Sequence, residues 1–241
     1  MRKGWETQAD NWVRFARTPG HDAFYDLMNL PAFLSLLPAP GRRTLDLGCG
    51  EGRLSRLLAE AGHTMVAADA SPSMIALAAT AEPALAAIVS DAARLPFTDS
   101  AFDLVVAFMC LHDMDQMAGA ISEAGRVLAP GGRLAFAVVH PINSAGDFAG
   151  KEPDAPFVIT GSYLDSHPAD WTADSGGIRV DFHSEHHSLE EYAAAVASAG
   201  LLIEQIREPK ATPELLAITP AAARFLRMPV VLHMLALRPP G

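Results

Sequence analysis

The residues best placed to do chemistry are a run of glycines near position 50 and three acidic side chains around it. In Leu45-Asp46-Leu47-Gly48-Cys49-Gly50-Glu51-Gly52, small residues separate an apolar run from a helical pattern. Backbone at such a turn can approach a ligand closely, and the N–H groups of the following helix point outward. Asp69 closes the next apolar run about twenty residues on, where a carboxylate can accept hydrogen bonds from both hydroxyls of a ribose. Asp91 closes a third run, in Ser90-Asp91-Ala92, suited to the amino group of an adenine. A nucleotide-like ligand is implied. The dinucleotide pattern G-x-G-x-x-G fails at its last glycine, where Arg53 stands, which argues against a nicotinamide cofactor. Asp46 and Glu51 would repel a pyrophosphate but attract a cationic ligand.

Alternating apolar runs and helical patterns from Thr44 to Val139 position these residues and read as consecutive βα units on a largely parallel sheet. Strands are expected at Thr44 to Leu47, Thr64 to Ala68, Ala87 to Val89, Phe102 to Phe108 and Arg133 to Val139. Helices are expected at Arg53 to Ala61, after the N-cap Ser71 with Pro72 at the first position, and at Met117 to Leu128. The stretch from Pro141 to Asp181 is rich in Pro, Gly, Asp and Ser, and too long for an ordinary connection. Ser188 then N-caps a helix ending at Gly200, followed by a strand at Leu201 to Arg207, a second cap segment at Pro213 to Met228 and a last strand at Val230 to Leu237. That last strand is expected to be antiparallel, at or near the sheet edge. The fold class is a doubly wound, mostly parallel α/β sheet in one domain, 1–241, with an N-terminal helical lid (1–40) and a cap insertion (141–187).

S-adenosylmethionine carries both an ammonium and a sulfonium, and the motifs resemble those of the class I S-adenosylmethionine-dependent methyltransferases. The resemblance is to their small-molecule branch, related to quinone and natural-product methyltransferases. It runs from about Trp12 to Arg207 through the glycine turn, Asp69-Ala70-Ser71-Pro72-Ser73-Met74, Asp91-Ala92-Ala93-Arg94-Leu95-Pro96-Phe97, Phe102-Asp103-Leu104-Val105-Val106 and Arg126-Val127-Leu128-Ala129-Pro130-Gly131-Gly132-Arg133-Leu134. It implies seven strands in the Rossmann-like order 3-2-1-4-5-7-6. It also implies that Asp46, Gly48 and Gly50 line the methionine end, with Cys49 a small residue in the same turn rather than a nucleophile. Asp69 would hold the ribose, Ala70 and Met74 would flank the adenine, and Asp91 and Ala92 would recognise its edge. Phe108 and Met109 would run beneath the methionine moiety, with the Phe108 carbonyl toward the ammonium. The family's N-terminal helices often close over the cofactor, which makes Trp12, Arg17, His21 and Tyr25 candidates and suits Arg17 to the methionine carboxylate.

The expected activity is in-line methyl transfer to an oxygen, nitrogen or carbon of a small-molecule acceptor, releasing S-adenosylhomocysteine. Two histidines at strand ends are candidates for a general base, His140 first and His112 second. His21, Tyr25 and Tyr163 are expected to face the acceptor; Phe148, Phe157, Tyr163 and Trp171 either line its pocket or staple the insertion down. His183, Glu185 and His187 alternate as metal ligands on a strand would, but read better as a solvated strand, and no metal is expected. Competing readings are a fold-retaining, non-catalytic cofactor-binding subunit and an enzyme that uses the cofactor without methylating. A formal charge of −10, with 28 acidic against 18 basic residues, disfavours nucleic acid and anionic membranes as partners. Two isolated cysteines and the lack of an early apolar run suggest the cytoplasm, as a monomer or homodimer.

Overall fold

The computed structural model describes residues 2–81 and 85–240. Its centre is one seven-stranded sheet. The strands are β1 (Thr44–Leu47), β2 (Met65–Asp69), β3 (Ala86–Val89), β4 (Phe102–Phe108), β5 (Leu128–Val139), β12 (Leu202–Arg207) and β13 (Val231–Leu237), in the order β3-β2-β1-β4-β5-β13-β12. β1 to β5 run parallel, and β13 lies antiparallel between β5 and β12. This is the doubly wound, Rossmann-like architecture with order 3-2-1-4-5-7-6, because the short strands of the insertion stay outside the sheet. The last strand sits one place in from the edge, which β12 forms.

Helices cover both faces, so the central strands are apolar almost throughout instead of alternating. On one side Leu45, Leu47, Val105 and Phe136 pack with Ile121 and Ala124 of α5 (Met117–Val127) and Tyr192 and Val196 of α7 (Leu189–Ser198). On the other, Leu104, Val106 and Ala135 pack with Leu54 and Leu58 of α3 (Arg53–Glu60) and with Phe33 of α2 (Leu30–Leu34). The strand period of two turns Asp46 toward the α3 side, between Leu45 and Leu47, and there Ser55 of α3 meets it.

Several helix ends follow the expected chemistry. Ser71 caps α4 (Pro72–Ala81) by accepting from the Met74 N–H at 3.1 Å. Ser188 and Glu191 form a reciprocal capping box on α7, at 3.2 and 2.7 Å. One strand boundary differs from expectation by more than a residue. β5 starts at Leu128 rather than Arg133, because Leu128 already pairs with Phe102 before the register shifts across Pro130-Gly131-Gly132.

The insertion is built from short pieces: α6 (Pro141–Ser144), β6 (Gly146–Phe148), β7 (Phe157–Ile159), β8 (His167–Pro168), β9 (Trp171–Ser175), β10 (Ile178–Phe182) and β11 (Glu185–His186). β6 pairs with β7, β9 with β10 and β8 with β11, all antiparallel. The N-terminal helix α1 (Arg2–Arg17) lies against the second hairpin, where Trp5, Trp12 and Phe15 pack with Ile178, Val180 and Phe182. Glu6 of α1 also accepts from the hydroxyls of Ser71 and Ser73 at the start of α4, at 2.5 and 2.6 Å. Two segments far apart along the chain therefore form one cover over the C-terminal edge of the sheet. The chain closes with a π-helical turn Tyr25–Asn29 after α1, α8 (Pro213–Ile218) and a 3-10 helix Pro220–Leu226 before β13. Among the described residues, no helix is long and apolar enough to cross a membrane.

Ser188→Ala removes one half of the α7 capping box. It is expected to lower unfolding free energy by about 1 kcal/mol, measured as a shift of the urea midpoint at constant slope.

Candidate functional site

A cavity of about 860 Å3 opens at the C-terminal ends of β1, β2 and β4, beneath α1 and the insertion. Its floor is the β1–α3 turn. Gly48, Gly50 and Gly52 all have positive φ, at 70°, 56° and 84°, which lets three residues reverse the chain without a Cβ in the way. A Cβ on Gly48 would fall 2.7 Å from both Cβ and Sγ of Cys110. The turn hangs from β2 through the N–H groups of Gly48 and Cys49, which donate to the Ala68 carbonyl at 2.8 and 3.1 Å.

Two carboxylates flank the turn, Asp46 buried and Asp69 half-buried. Asp46 is 1% exposed, and its Oδ2 accepts from the Ser55 hydroxyl at 2.5 Å. Burial, reinforced by the negative charge of Asp69, outweighs that hydrogen bond and pushes the Asp46 pKa up to about 7. Asp69 accepts from the Gly50 and Ser71 N–H groups, both at 2.9 Å, one on each oxygen. Burial raises its pKa while these backbone donors lower it. Each Asp69 oxygen keeps a lone pair for a further donor, as a pair of ribose hydroxyls would need. Asp91 stands at the end of β3, more exposed, with Oδ1 accepting from the Ala93 N–H at 2.9 Å. Ala70, Met74 and Ala92 complete this wall. The third acid of the turn behaves differently from its neighbours. Glu51 is 1% exposed and held by Arg17 (2.6 Å) and Arg56 (2.9 Å), so its charge is already balanced within the protein.

The opposite wall comes from β4 and the N-terminal segment. Phe108 packs on Phe33 and Tyr25, with ring centres 4.7 and 5.5 Å apart. Met109 follows with φ 54°, a left-handed conformation costly for a side chain other than glycine, and its N–H donates to the Ala137 carbonyl at 2.8 Å. The guanidinium of Arg53 lies 3.3 Å above the Tyr25 ring and pairs with Asp22 at 2.9 Å. The Tyr25 hydroxyl is buried without a partner, its pKa pushed up to about 12, chiefly by burial.

A 3-10 turn, Leu111–Asp113, brings His112 and Asp113 into the same cavity. Nε2 of His112 lies 3.6 Å from Asp113 Oδ1, while its Nδ1 is buried with no partner in the protein. Burial lowers the His112 pKa and outweighs the carboxylate that would raise it, so the ring is neutral at pH 7. The Asp113 carboxylate accepts from the Ser184 hydroxyl of the insertion at 2.6 Å. Asp113 facing Nε2 favours the tautomer with its proton there and the lone pair on Nδ1.

Most of the site residues read from the sequence line this one cavity: Trp12, His21, Tyr25, Asp46, Gly48, Cys49, Gly50, Asp69, Ala70, Met74, Asp91, Ala92, Phe108, Met109 and His112. Three do not. Arg17 is turned onto Glu51, and the arginine of this region that lines the cavity is Arg53 instead. His140 caps α6, its Nδ1 accepting from the Ile142 N–H at 3.1 Å and its Nε2 lying 2.9 Å from Glu208. Tyr163 staples the insertion, its hydroxyl accepting from the Leu189 N–H and its carbonyl bonded by His186. Of the other aromatics named from the insertion, Trp171 lines the cavity and stacks on Phe182 at 4.0 Å. Phe148 and Phe157 pack edge to face on each other. Both cysteine thiols have pKa values raised by burial, against a nucleophilic role. His183, Glu185 and His187 do not share a strand face, since β11 is only two residues long; His183 lies 3.5 Å from Asp170 and His187 3.6 Å from Glu191. Among the described residues, no three His, Cys, Asp or Glu are grouped to hold a metal ion.

Sequence reasoning missed Arg53, Ser184 and Arg224 as site residues. Arg53 had a signal, because it occupies the third-glycine position and must therefore sit at the start of the helix behind the turn.

Residues 45–136 match the family model described as a methyltransferase domain. An uncharacterized methyltransferase of Mycobacterium bovis is 43% identical over 99 residues, 41% of this chain and 40% of that protein. The demethylmenaquinone methyltransferase of Beutenbergia cavernae is 42% identical over 168 residues, 68% of this chain and 65% of that protein. The matches thus span less than two thirds of either relative. An S-adenosylmethionine-dependent methyltransferase structure from Mesorhizobium loti superposes with a TM-score of 0.74 at 27% identity, covering 90% of this chain and 98% of that one.

Gly48→Ala adds a Cβ against Cys110 to a backbone already in the left-handed region. The variant is expected to lose about 2–4 kcal/mol of unfolding free energy, read from denaturant titration.

Proposed function

We propose that this chain, a class I S-adenosylmethionine-dependent methyltransferase by the family of its residues 45–136 and by its fold, methylates a small-molecule acceptor bound beneath α1 and the insertion. The observation that carries the reading is the pair of strand-end carboxylates, Asp46 buried and Asp69 half-buried, on either side of a glycine turn at the floor of an 860 Å3 cavity. That volume falls within the roughly 300–1,000 Å3 of small-ligand sites and leaves room for an acceptor beside the cofactor. The demethylmenaquinone methyltransferase among the relatives supports an acceptor of small-molecule size.

The residues present fit the cofactor. Asp69 has free lone pairs for the ribose hydroxyls, and Met74 and Ala92 flank a slot whose outer edge carries Asp91. Asp46 supplies negative charge for the ammonium, and Arg53, which lines the cavity, is the cation for the carboxylate. When bound, S-adenosylmethionine supplies a methyl group made electrophilic by the sulfonium. The chain's own contribution is to hold the acceptor in line, exclude water and take a proton where the nucleophile must lose one. His112 suits the role of proton acceptor, because its ring is neutral, its Nδ1 is free and Asp113 backs it across Nε2. The acceptor proton would pass to Nδ1, and the resulting imidazolium would be stabilised by the Asp113 carboxylate.

Calorimetric titration with S-adenosylhomocysteine tests the reading directly. Micromolar-range affinity is expected, with loss of binding in Asp69→Ala; unchanged binding by that variant would refute the site. Asp46 adds a pH signature. Its raised pKa means that acid neutralises the carboxylate that faces the ammonium, so affinity should weaken about tenfold from pH 8 to pH 6 and lose this dependence in Asp46→Asn. A flat profile in the unaltered protein counts against Asp46 in that role.

His112→Ala is expected to reduce kcat by about 10²–10⁴ for an acceptor that must be deprotonated, with S-adenosylhomocysteine affinity retained. Full turnover in this variant excludes His112 as the base.

A further inference from the structure

We infer that the acceptor bears a carboxylate, and that Arg224 binds it; the inference rests on the methyl-transfer reading and specifies its substrate class. Arg224 lies in the 3-10 helix Pro220–Leu226 and lines the cavity. Its guanidinium carbon is 5.0 Å from the ring centres of both Phe148 and Phe225. Nη1 donates to the Gly150 carbonyl at 3.1 Å, whereas Nε is buried with no acceptor and Nη2 makes no hydrogen bond. Among the described residues, no carboxylate pairs with it. The other three arginines around the site all have carboxylate partners, Arg17 and Arg56 sharing Glu51 and Arg53 pairing with Asp22.

A guanidinium enclosed by two rings, with a buried N–H left unmatched, is costly unless an anion arrives to meet it. The free edge is the one formed by Nε and Nη2, two parallel donors at the spacing of a carboxylate's oxygens. Charge favours a monoanion. One guanidinium balances one negative charge, and Asp147, the chain neighbour of Phe148, lines the same cavity and opposes a phosphate dianion. The surrounding walls are apolar, with Phe24, Met28 and Val231 in a cluster that Met109 joins to the end of β4. The acceptor is therefore an apolar body with one carboxylate, anchored at Arg224 while another part of the molecule lies toward His112.

The test compares carboxylates with their primary amides, using naphthoate, 4-phenylbutanoate and decanoate as probes. Affinities are measured by calorimetry on the free protein and on protein saturated with S-adenosylhomocysteine. At least one acid should bind about ten- to a hundredfold more tightly than its amide. R224Q, which keeps a donor for Gly150 but no charge, should bring that acid to the level of its amide while thermal midpoint and S-adenosylhomocysteine affinity hold. Acids and amides binding alike, binding by no acid, or a preference that survives in R224Q would overturn the inference. Failure of S-adenosylhomocysteine to bind, with the acid preference intact and lost in R224Q, would instead fell the methyl-transfer reading and leave the carboxylate site standing.

Discussion

Two carboxylates held out of water at the ends of neighbouring parallel strands set the terms for the rest of the structure. Asp46 and Asp69 repel each other, and burial penalises the charge on each. The fold answers with three donors: the Ser55 hydroxyl from α3, the Gly50 N–H from the turn and the Ser71 N–H from the start of α4. The turn can supply its share only because glycine tolerates left-handed backbone at three alternate positions. A site tuned in this way attracts positive charge, and the nearby arginines do not satisfy it because Glu51 and Asp22 hold them.

The cover is coupled to the chemistry as well as to the sheet. Ser184 in the insertion holds Asp113, which faces His112, so the position of this buried pair depends partly on the segment that closes the cavity. Glu6 in α1 binds the first turn of α4, at the positive end of that helix, and so fastens the other half of the cover beside Asp69. Closure and orientation thus depend on overlapping contacts.

Much of this was legible in the sequence. The strands were readable because βα units covered on both faces leave unbroken apolar runs between turn residues, and the glycine turn and strand-end acids followed from where those runs stop. Arg17 and His140 lie off the cavity, which residue type and position cannot reveal: one forms an ion pair with Glu51, and the other caps α6 and meets Glu208. Tyr163 lies off the cavity for a related reason: an aromatic in a long insertion lines a pocket or pins a loop according to contacts distant in sequence, here with Leu189 and His186. Arg224 gave no local signal, since its meaning comes from two rings and an unmatched N–H brought together only by folding.

The hairpin of β9 and β10 rests its apolar face on α1, where Trp5, Trp12 and Phe15 receive Val180 and Phe182. The insertion is therefore not a transplantable loop. A chimaera that takes residues 141–187 from another enzyme and keeps this chain's first helix would strip those aromatic rings of their partners, each a loss of about 1.5–3 kcal/mol if fully uncovered. The two segments form a matched set, to be exchanged together or not at all.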